Sequence, residues 1–440
     1  MNNDDRVLIL GGSARAAAES ARRAGMSPIC ADIFADLDLR AAAELVLPVE
    51  DLHDDLVRAA REAPPCPFLY TGALENRPDV VGAIAAARPL WGNGPDVLAV
   101  VRDPFRLKEI LQAARLPALG LRSDDDPPPD DDGREWVWKP HDGAAGRGIR
   151  RLSDKYDPEE HLHEPGYFQE FATGAPISAV YVAGREGTRF VGTSRQLVGI
   201  EALGASRFGY CGSIGPLELP PEIAETVRRI GEAVAGGCGL RGVFGCDFIL
   251  DGGRPLLVEV NPRYPASLEV FERARGEALL AAHRAAFAVG EQRSEVSGQR
   301  SEVADRSSEV GESGSRPVSR FHPPPAPSRK GKGVRSRVIG KAVLYAHRAV
   351  DVPDLSCFPM ARTVWELPFV ADRPAAGTHV PKGHPICTVL AEGSSEEECA
   401  AQLAERGAAV QRHIFGKNAG DDENIRLDAS VLLDPKISCR

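Results

Sequence analysis

Asp247, Glu259, Asn261 and Arg263 are polar residues set into the stretch VFGCDFILDGGRPLLVEVNPRYPAS, residues 243–267, that otherwise reads as core. Two short apolar strands, Val243 to Leu250 and Pro255 to Val260, flank an Asp-Gly-Gly turn at 251–253, a strong hairpin signal. Glu259 and Asn261 are two apart and so share one face of an extended strand, and a paired strand can bring Asp247 beside them. Three oxygen ligands on one hairpin suit Mg2+, which takes a few carboxylate or amide oxygens together with waters and substrate phosphates. Taken alone, the stretch also fits an edge hairpin with solvated acids and an Asn-Pro turn.

About a hundred residues upstream, WVWKPHDGAAGRGIR (residues 136–150) offers a short aromatic and β-branched strand carrying Lys139, followed by Gly143, Gly146 and Gly148. Glycines let backbone N–H groups come close to phosphate oxygens, and a lysine adds a point charge for the same phosphates. No Gly-Lys-Ser/Thr opens a helix here, so the loop is not a P-loop.

A phosphate-gripping strand and loop followed by an Asp…Glu-x-Asn hairpin resembles the ATP-grasp superfamily, over roughly residues 5 to 290, and in particular its ATP-dependent carboligases related to biotin carboxylase. The resemblance implies an ATP-grasp fold of mixed α/β and α+β class. Its expected parts are a Rossmann-like N-terminal domain (1–100), an ATP-grasp domain (101–290), a linker or insertion (291–337) and a small α+β cap (338–440). It implies ATP and Mg2+ as cofactors, with Mn2+ as a substitute, and ATP contacts from Lys139, the three glycines and a basic residue, Lys108 or Arg102, at the helix that begins near Asp103. Gln169 or Glu170 falls at the hinge that meets the adenine ring. Where many members carry a ribose-binding glutamate this chain has Pro176, so ribose recognition must come from elsewhere. The implied chemistry is activation of a small-molecule carboxylate as an acyl phosphate for attack by an amine, with Arg263 steadying charge on the transferring group. A homodimer is compatible with the resemblance.

The elements that must position these residues begin with Arg6 to Leu10, a buried-strand pattern, then Gly11-Gly12-Ser13, an Ala-rich helix and a second strand, Pro28 to Asp32, the opening of a parallel βαβ unit. The turn lacks G-x-G-x-x-G spacing, which argues against NAD. Phe68 to Thr71 is a further strand with Glu75 beyond its carboxyl end, either a substrate contact or a helix cap. Asp103-Pro104 starts a helix. Ser123 to Gly133 is an acidic, Pro-rich connector. Ser178 to Ala183 and Phe190 to Ser194 read as antiparallel strands leading to Arg195, a candidate to hold a carboxylate or the transferred phosphoryl group. Phe208 to Gly215 reads as a glycine-studded lid or substrate loop. Helices follow at 222–235 and 269–289. Residues 291–337, with a repeated Ser-Glu-Val and almost no apolar side chains, read as a disordered insertion.

Composition narrows the classes. A net charge of −10 argues against a nucleic-acid-binding surface, and 43% hydrophobic with 26% charged residues is the balance of a soluble globular chain. No stretch has the length of a membrane span and the N-terminus is not a signal peptide, so a cytoplasmic location is expected. Nine scattered cysteines show no zinc spacing, and Cys211 has no histidine nearby in sequence to make it a nucleophile. Three functions stay open: a carboxylate–amine ligase in cofactor or small-metabolite biosynthesis, with one-carbon carriers as one setting; a biotin-carboxylase-like carboxylase or kinase acting on a small acid; and a nucleotide-binding module without chemistry.

Overall fold

A computed structural model of the chain describes residues 5–129, 133–154, 165–288, 337–416 and 427–434. The expected insertion at 291–337 lies outside them except for Arg337, as do residues 130–132 of the acidic connector.

The first unit contains β1 (Arg6–Gly11), α1 (Arg15–Arg23), β2 (Ser27–Asp32), α2 (Leu37–Ala42), β3 (Leu45–Pro48), α3 (Asp54–Glu62) and β4 (Phe68–Tyr70). The four strands form a parallel sheet in the order β3-β2-β1-β4. Runs such as Val7 to Leu10 are buried throughout, as a sheet covered on both faces requires. Next come α4 (Pro78–Ala85), α5 (Pro95–Val101) and α6 (Pro104–Ala113). The Asp103 carboxylate accepts the Phe105 and Arg106 N–H groups at 2.9 and 3.2 Å, the cap its sequence predicts.

A small antiparallel sheet follows: β5 (Leu121–Ser123), β6 (Trp136–Pro140), β7 (Arg150–Arg151) and β8 (Gly166–Glu170), in the order β5-β8-β6-β7. Trp136, Trp138 and Phe168 fill its own core on one face. Alternation therefore turns Val137, Lys139 and Gln169 to the other face.

The large sheet is built from β9 (Ala175–Gly184), β10 (Gly187–Val198) and β11 (Tyr210–Leu217), then, after α7 (Pro221–Cys238), β12 (Gly242–Asp251) and β13 (Arg254–Asn261). The predicted helix at 269–289 is two helices, α8 (Leu268–Arg275) and α9 (Leu279–Phe287), because Gly276 takes the left-handed conformation, φ +66, that ends the first. The lid expected at 208–215 is mostly strand β11, whose glycines sit in sheet pairing, so only the turn at Ser206 to Gly209 remains a loop.

The C-terminal part also departs from expectation. It contains β14 (Val338–Tyr345), β15 (Val350–Asp351), β16 (Val370–Ala371), β17 (His379–Val380), β18 (Pro385–Gly393), α10 (Glu396–Phe415) and α11 (Ala429–Leu433). β14 pairs with β11, Gly212 opposite Ala342, and the sheet runs unbroken as β13-β12-β9-β10-β11-β14-β18-β16. Leu197, Cys211 and Ile214 share one apolar cluster with Val389 and Leu403. Residues 338–440 are thus, where described, an extension of the central sheet with a helix on it, not a separate cap. The edge of β11 would otherwise expose unpaired backbone groups, which β14 satisfies. No helix among the described residues is long and apolar enough to cross a membrane.

A buried ionic cluster ties α1, α8 and β14 together. Glu269, 0% exposed, accepts from Arg15 Nη1 at 2.5 Å, Arg273 Nε at 3.0 Å and Lys341 Nζ at 3.0 Å. Burial opposes its ionisation, yet Arg15 and Lys341 hold its carboxyl well below the usual range. Glu269→Ala would take a carboxylate from three buried cations, leaving Arg15 with Asp372 and Arg273 with Glu19 but Lys341 with only the Ala266 carbonyl among the described residues, and a loss of about 3–5 kcal/mol in chemical denaturation is expected. A variant as stable as the parent would show that the cluster does not hold these elements together.

Candidate active site

A cavity of about 250 Å3 lies between the inner faces of the two antiparallel sheets. Val137, Lys139 and Gln169 come from the small sheet, and Ser178, Gln196, Val198, Tyr210, Asp247, Glu259 and Asn261 from the large one. Val137 and Ile249, two residues along their strands from Lys139 and Asp247, join Phe171 and Ala172, just past β8, in an apolar part of the lining, and Glu75 and Arg263 belong to its polar part.

Glu259 and Asn261 share a face as their spacing predicts, and the paired strand brings Asp247 beside them. Asp247 pairs directly with Glu259 across β12 and β13, and Asn261 pairs with Gly245, so the three side chains share one face. The register shifts just past Asp247, leaving Val258 as an extra residue in β13. Its carbonyl accepts from Lys139 Nζ at 3.2 Å, which fixes the lysine over the hairpin; Gln169 Oε1 is 3.5 Å from the same nitrogen. Asn261 Nδ2 donates to Asp247 at 2.9 Å, and Arg263 Nη2 donates to Asn261 Oδ1 at 2.8 Å and Glu75 Oε1 at 2.7 Å. Glu75 is 3% exposed and lines the cavity as the anchor of Arg263. Burial works against its charge, but Arg263 draws its carboxyl below the usual value.

Burial and the Glu259 charge push the Asp247 carboxyl up to about 7, while bonds from Ser178 and Asn261 pull it back. A hard divalent cation fits this arrangement. Its donors are all oxygen, two carboxylates and an amide, and the crowding of the acids is relieved by positive charge. Because a ligand carboxylate must be ionised, Mn2+ affinity followed by electron paramagnetic resonance is expected to fall by up to about tenfold per pH unit below pH 7 and to level off above about pH 8. In the metal-free protein the folded state holds this proton more tightly than an unfolded aspartate, so Asp247 takes stability away as pH rises from about 4 to about 7. Metal affinity that stays flat down to pH 5 would remove Asp247 from the ligand set.

The glycine loop closes the cavity from the small sheet. Gly146 has φ +77, and a Cβ there would lie 1.9 Å from the Phe208 carbonyl oxygen, so the loop packs on the turn before β11 only because this residue has no side chain. Gly148, at φ +78, and Gly143 fold against the Pro140 ring.

Other candidates are placed differently. Arg195 is not in the cavity: Gln196 and Val198 line it from β10, and Arg195, on the opposite face, pairs with Glu396 at the start of α10. Lys108 does not line the cavity; Arg102, the alternative basic residue, donates to Glu259 Oε1 at 2.9 Å. Of the hinge pair, Gln169 and Glu170 both line the cavity, and the Glu170 carboxylate accepts the Gly120 N–H at 2.9 Å. Pro176 is part of the wall. Cys211 is fully buried and its thiol is pushed up to about 12, which excludes it as a nucleophile. Gln196, Tyr210, Ser178 and Ser267 line the cavity without having been singled out by sequence. The alternation of Ser178 with its apolar neighbours was a usable signal, whereas Arg195 and Gln196, both polar, hid the parity of β10.

Two facing antiparallel sheets, one carrying a lysine and a glycine loop and the other an Asp…Glu-x-Asn hairpin, define the ATP-grasp fold. The family model for the ATP-grasp domain matches residues 103–267, so the chain carries an ATP-grasp domain there. Over its length the structure is similar to the L-amino acid ligase of Bacillus licheniformis, with a TM-score of 0.61 and 16% identity, covering 93% of this chain and 98% of that one. It is also similar to the biotin carboxylase domain of the 2-oxoglutarate carboxylase of Hydrogenobacter thermophilus, a structure with MgADP and bicarbonate. There the TM-score is 0.64 at 14% identity, over 99% of this chain and 98% of that one. In sequence, an uncharacterised protein of Methanocaldococcus jannaschii is 20% identical over 302 residues, 62% of this chain and 72% of that protein.

Proposed function

We propose that this protein is an ATP- and Mg2+-dependent ligase that activates a small-molecule carboxylate as an acyl phosphate and joins it to an amine. The observation that carries this reading is the cavity itself, whose lining joins apolar Val137, Phe171, Ala172 and Ile249, fit for a base, to Lys139, Asp247, Glu259, Asn261 and Arg263. A nucleotide with its base there points its phosphates along Lys139 and the glycine loop toward the acidic face. Asp247, Glu259 and Asn261 would hold Mg2+, which when bound neutralises charge on the phosphate oxygens. Lys139 orients the terminal phosphate. Arg263, held by Glu75 and Asn261, presents its positive charge where a carboxylate attacks. Phosphoryl transfer depends on positioning and charge, so no covalent residue is needed. The turn at Phe208 and the loop at Gly146 cover the cavity and limit water. Similarity to an L-amino acid ligase and to a biotin carboxylase, both of which act on carboxyl or bicarbonate groups by name or bound ligand, is consistent with this chemistry.

The test is a screen for ADP formation with pairs of carboxylates and amines, the standard amino acids and bicarbonate included, followed by isotope tracing on the active pair. Oxygen-18 in the carboxylate should appear in inorganic phosphate as amide forms. Amide product without label in phosphate would overturn the acyl phosphate, release of AMP and pyrophosphate would indicate an adenylate route, and ADP formation that depends only on inorganic carbon would define a carboxylase instead.

A further inference from the structure

Arg102 closes α5 and reaches the acidic face from there. Its Nη1 donates to Glu259 Oε1 at 2.9 Å. Its Nη2 donates to two carbonyls of the glycine loop, those of His141 at 3.3 Å and Gly143 at 3.1 Å. One guanidinium therefore ties a candidate metal ligand to the loop that faces the phosphates. The Asn76 amide holds the same loop by Asp142 and Gly143 carbonyls at 2.6 and 3.2 Å, so the loop keeps a tether if Arg102 leaves.

Two features indicate that this pose is not the only one Arg102 serves. Its Nε is buried without a partner, although a guanidinium has five donors to satisfy. Arg102 also lines a small space of about 60 Å3 together with Lys139, Gly143, Gly146 and Glu259, residues that a triphosphate would pass. A guanidinium matches phosphate oxygens in a two-pronged way that a carbonyl pair does not.

We propose that Arg102 is a placeholder cation. In the free protein it neutralises Glu259 in place of the metal; when the metal-bound nucleotide enters, Arg102 releases Glu259 to the metal and transfers its donors to the nucleotide's phosphates. Metal and Arg102 compete for one carboxylate, so metal alone binds weakly, and a nucleotide that draws Arg102 away strengthens metal binding by the same factor that metal strengthens nucleotide binding. The consequence is a requirement for metal and nucleotide to arrive together. The inference rests on the nucleotide reading of the cavity given above.

Full-length protein tests it by binding alone, with Mn2+ followed by electron paramagnetic resonance and Mg2+ with a non-hydrolysable ATP analogue followed by calorimetry. Arg102→Gln should bind Mn2+ alone roughly tenfold more tightly than the parent, and the nucleotide analogue roughly tenfold more weakly, each about 1.4 kcal/mol. Arg102→Lys, which keeps charge but not the fork, should recover part of the nucleotide affinity. In a Glu259→Gln background the Arg102→Gln change should no longer alter Mn2+ affinity, because the competed carboxylate is gone. Unchanged Mn2+ affinity in Arg102→Gln overturns the placeholder role even if nucleotide binding weakens, and unchanged nucleotide affinity overturns the transfer to phosphate. Failure of the parent protein to bind the analogue at all would instead sink the nucleotide reading, and this inference with it.

Discussion

Glu259→Gln is expected to lower turnover by roughly 10²- to 10³-fold, the scale on which loss of one preorganised electrostatic contact to a transition state is felt. The substitution is nearly isosteric. The amide oxygen it introduces can still accept a hydrogen bond from Arg102, so the hairpin and the Arg102 contact to the glycine loop should persist. What disappears is one of only two carboxylate charges on this face, the other being Asp247 directly across the strand pair. With position 259 neutral, the charge crowding that pushes up Asp247 falls, so Asp247 ionises more readily and some metal binding survives. The expected pattern is therefore a large fall in kcat with a smaller rise in the Mg2+ concentration needed for half-activity. Steady-state ADP formation at several Mg2+ concentrations measures both. Full turnover at saturating Mg2+ would remove Glu259 from the metal site.

Lys139→Ala should weaken nucleotide binding by about 10- to 100-fold, as expected for loss of a charge-assisted hydrogen bond of about 1.5–3 kcal/mol. The lysine is already in place in the free protein: the Val258 carbonyl accepts its ammonium at 3.2 Å, and the ammonium lies 5.8 Å from the Tyr167 ring centre. Little ordering remains to be done when phosphate arrives, so nearly all of the contact is available to binding. The substitution also frees the bulged Val258 carbonyl, which reaches water across the cavity, so the fold should hold. Calorimetry with ADP and Mg2+ reads the affinity, and circular dichroism confirms the fold. Lys139→Arg should restore only part of it, because a planar fork does not occupy the place of a compact ammonium. Equal affinity for the parent and the alanine variant would displace the triphosphate from this part of the cavity.

These two residues illustrate what local sequence fixes. Glu259 and Asn261 were legible because strand alternation puts residues two apart on one face; Asp247 joins them only because the bulge at Val258 shifts by one the register that the Asp-Gly-Gly turn starts, and no residue type in the stretch announces that bulge. Lys139 and the glycines were legible because a loop that must approach phosphate needs its glycines beside the strand that supplies the cation. The parallel β1 and β2 followed from continuous apolar runs.

Placement across distance was not legible. Arg195 and Gln196 are neighbours in a strand whose polar residues do not alternate, so their faces depend on pairing with β9 and on the turn of α10 that brings Glu396 to Arg195. Gln169 and Glu170 both line the cavity, and only folding brings the Gly120 N–H to the glutamate. Arg102 and Lys108 lie on successive helices, and only the packing of α5 beside the hairpin puts Arg102 next to Glu259, 157 residues away. The C-terminal strands read as a separate unit because nothing local states which edge a strand will join; the open side of β11 decided that, since backbone donors and acceptors on an uncovered edge must find partners. By itself, then, the sequence determined a hairpin with Glu259 and Asn261 on one face and the phosphate loop beside its lysine, because turns and two-residue periodicity act locally. The tertiary structure alone decided which arginines meet them and that one large sheet carries both the acidic face and the C-terminal strands, because those contacts form between surfaces that the chain brings together only on folding.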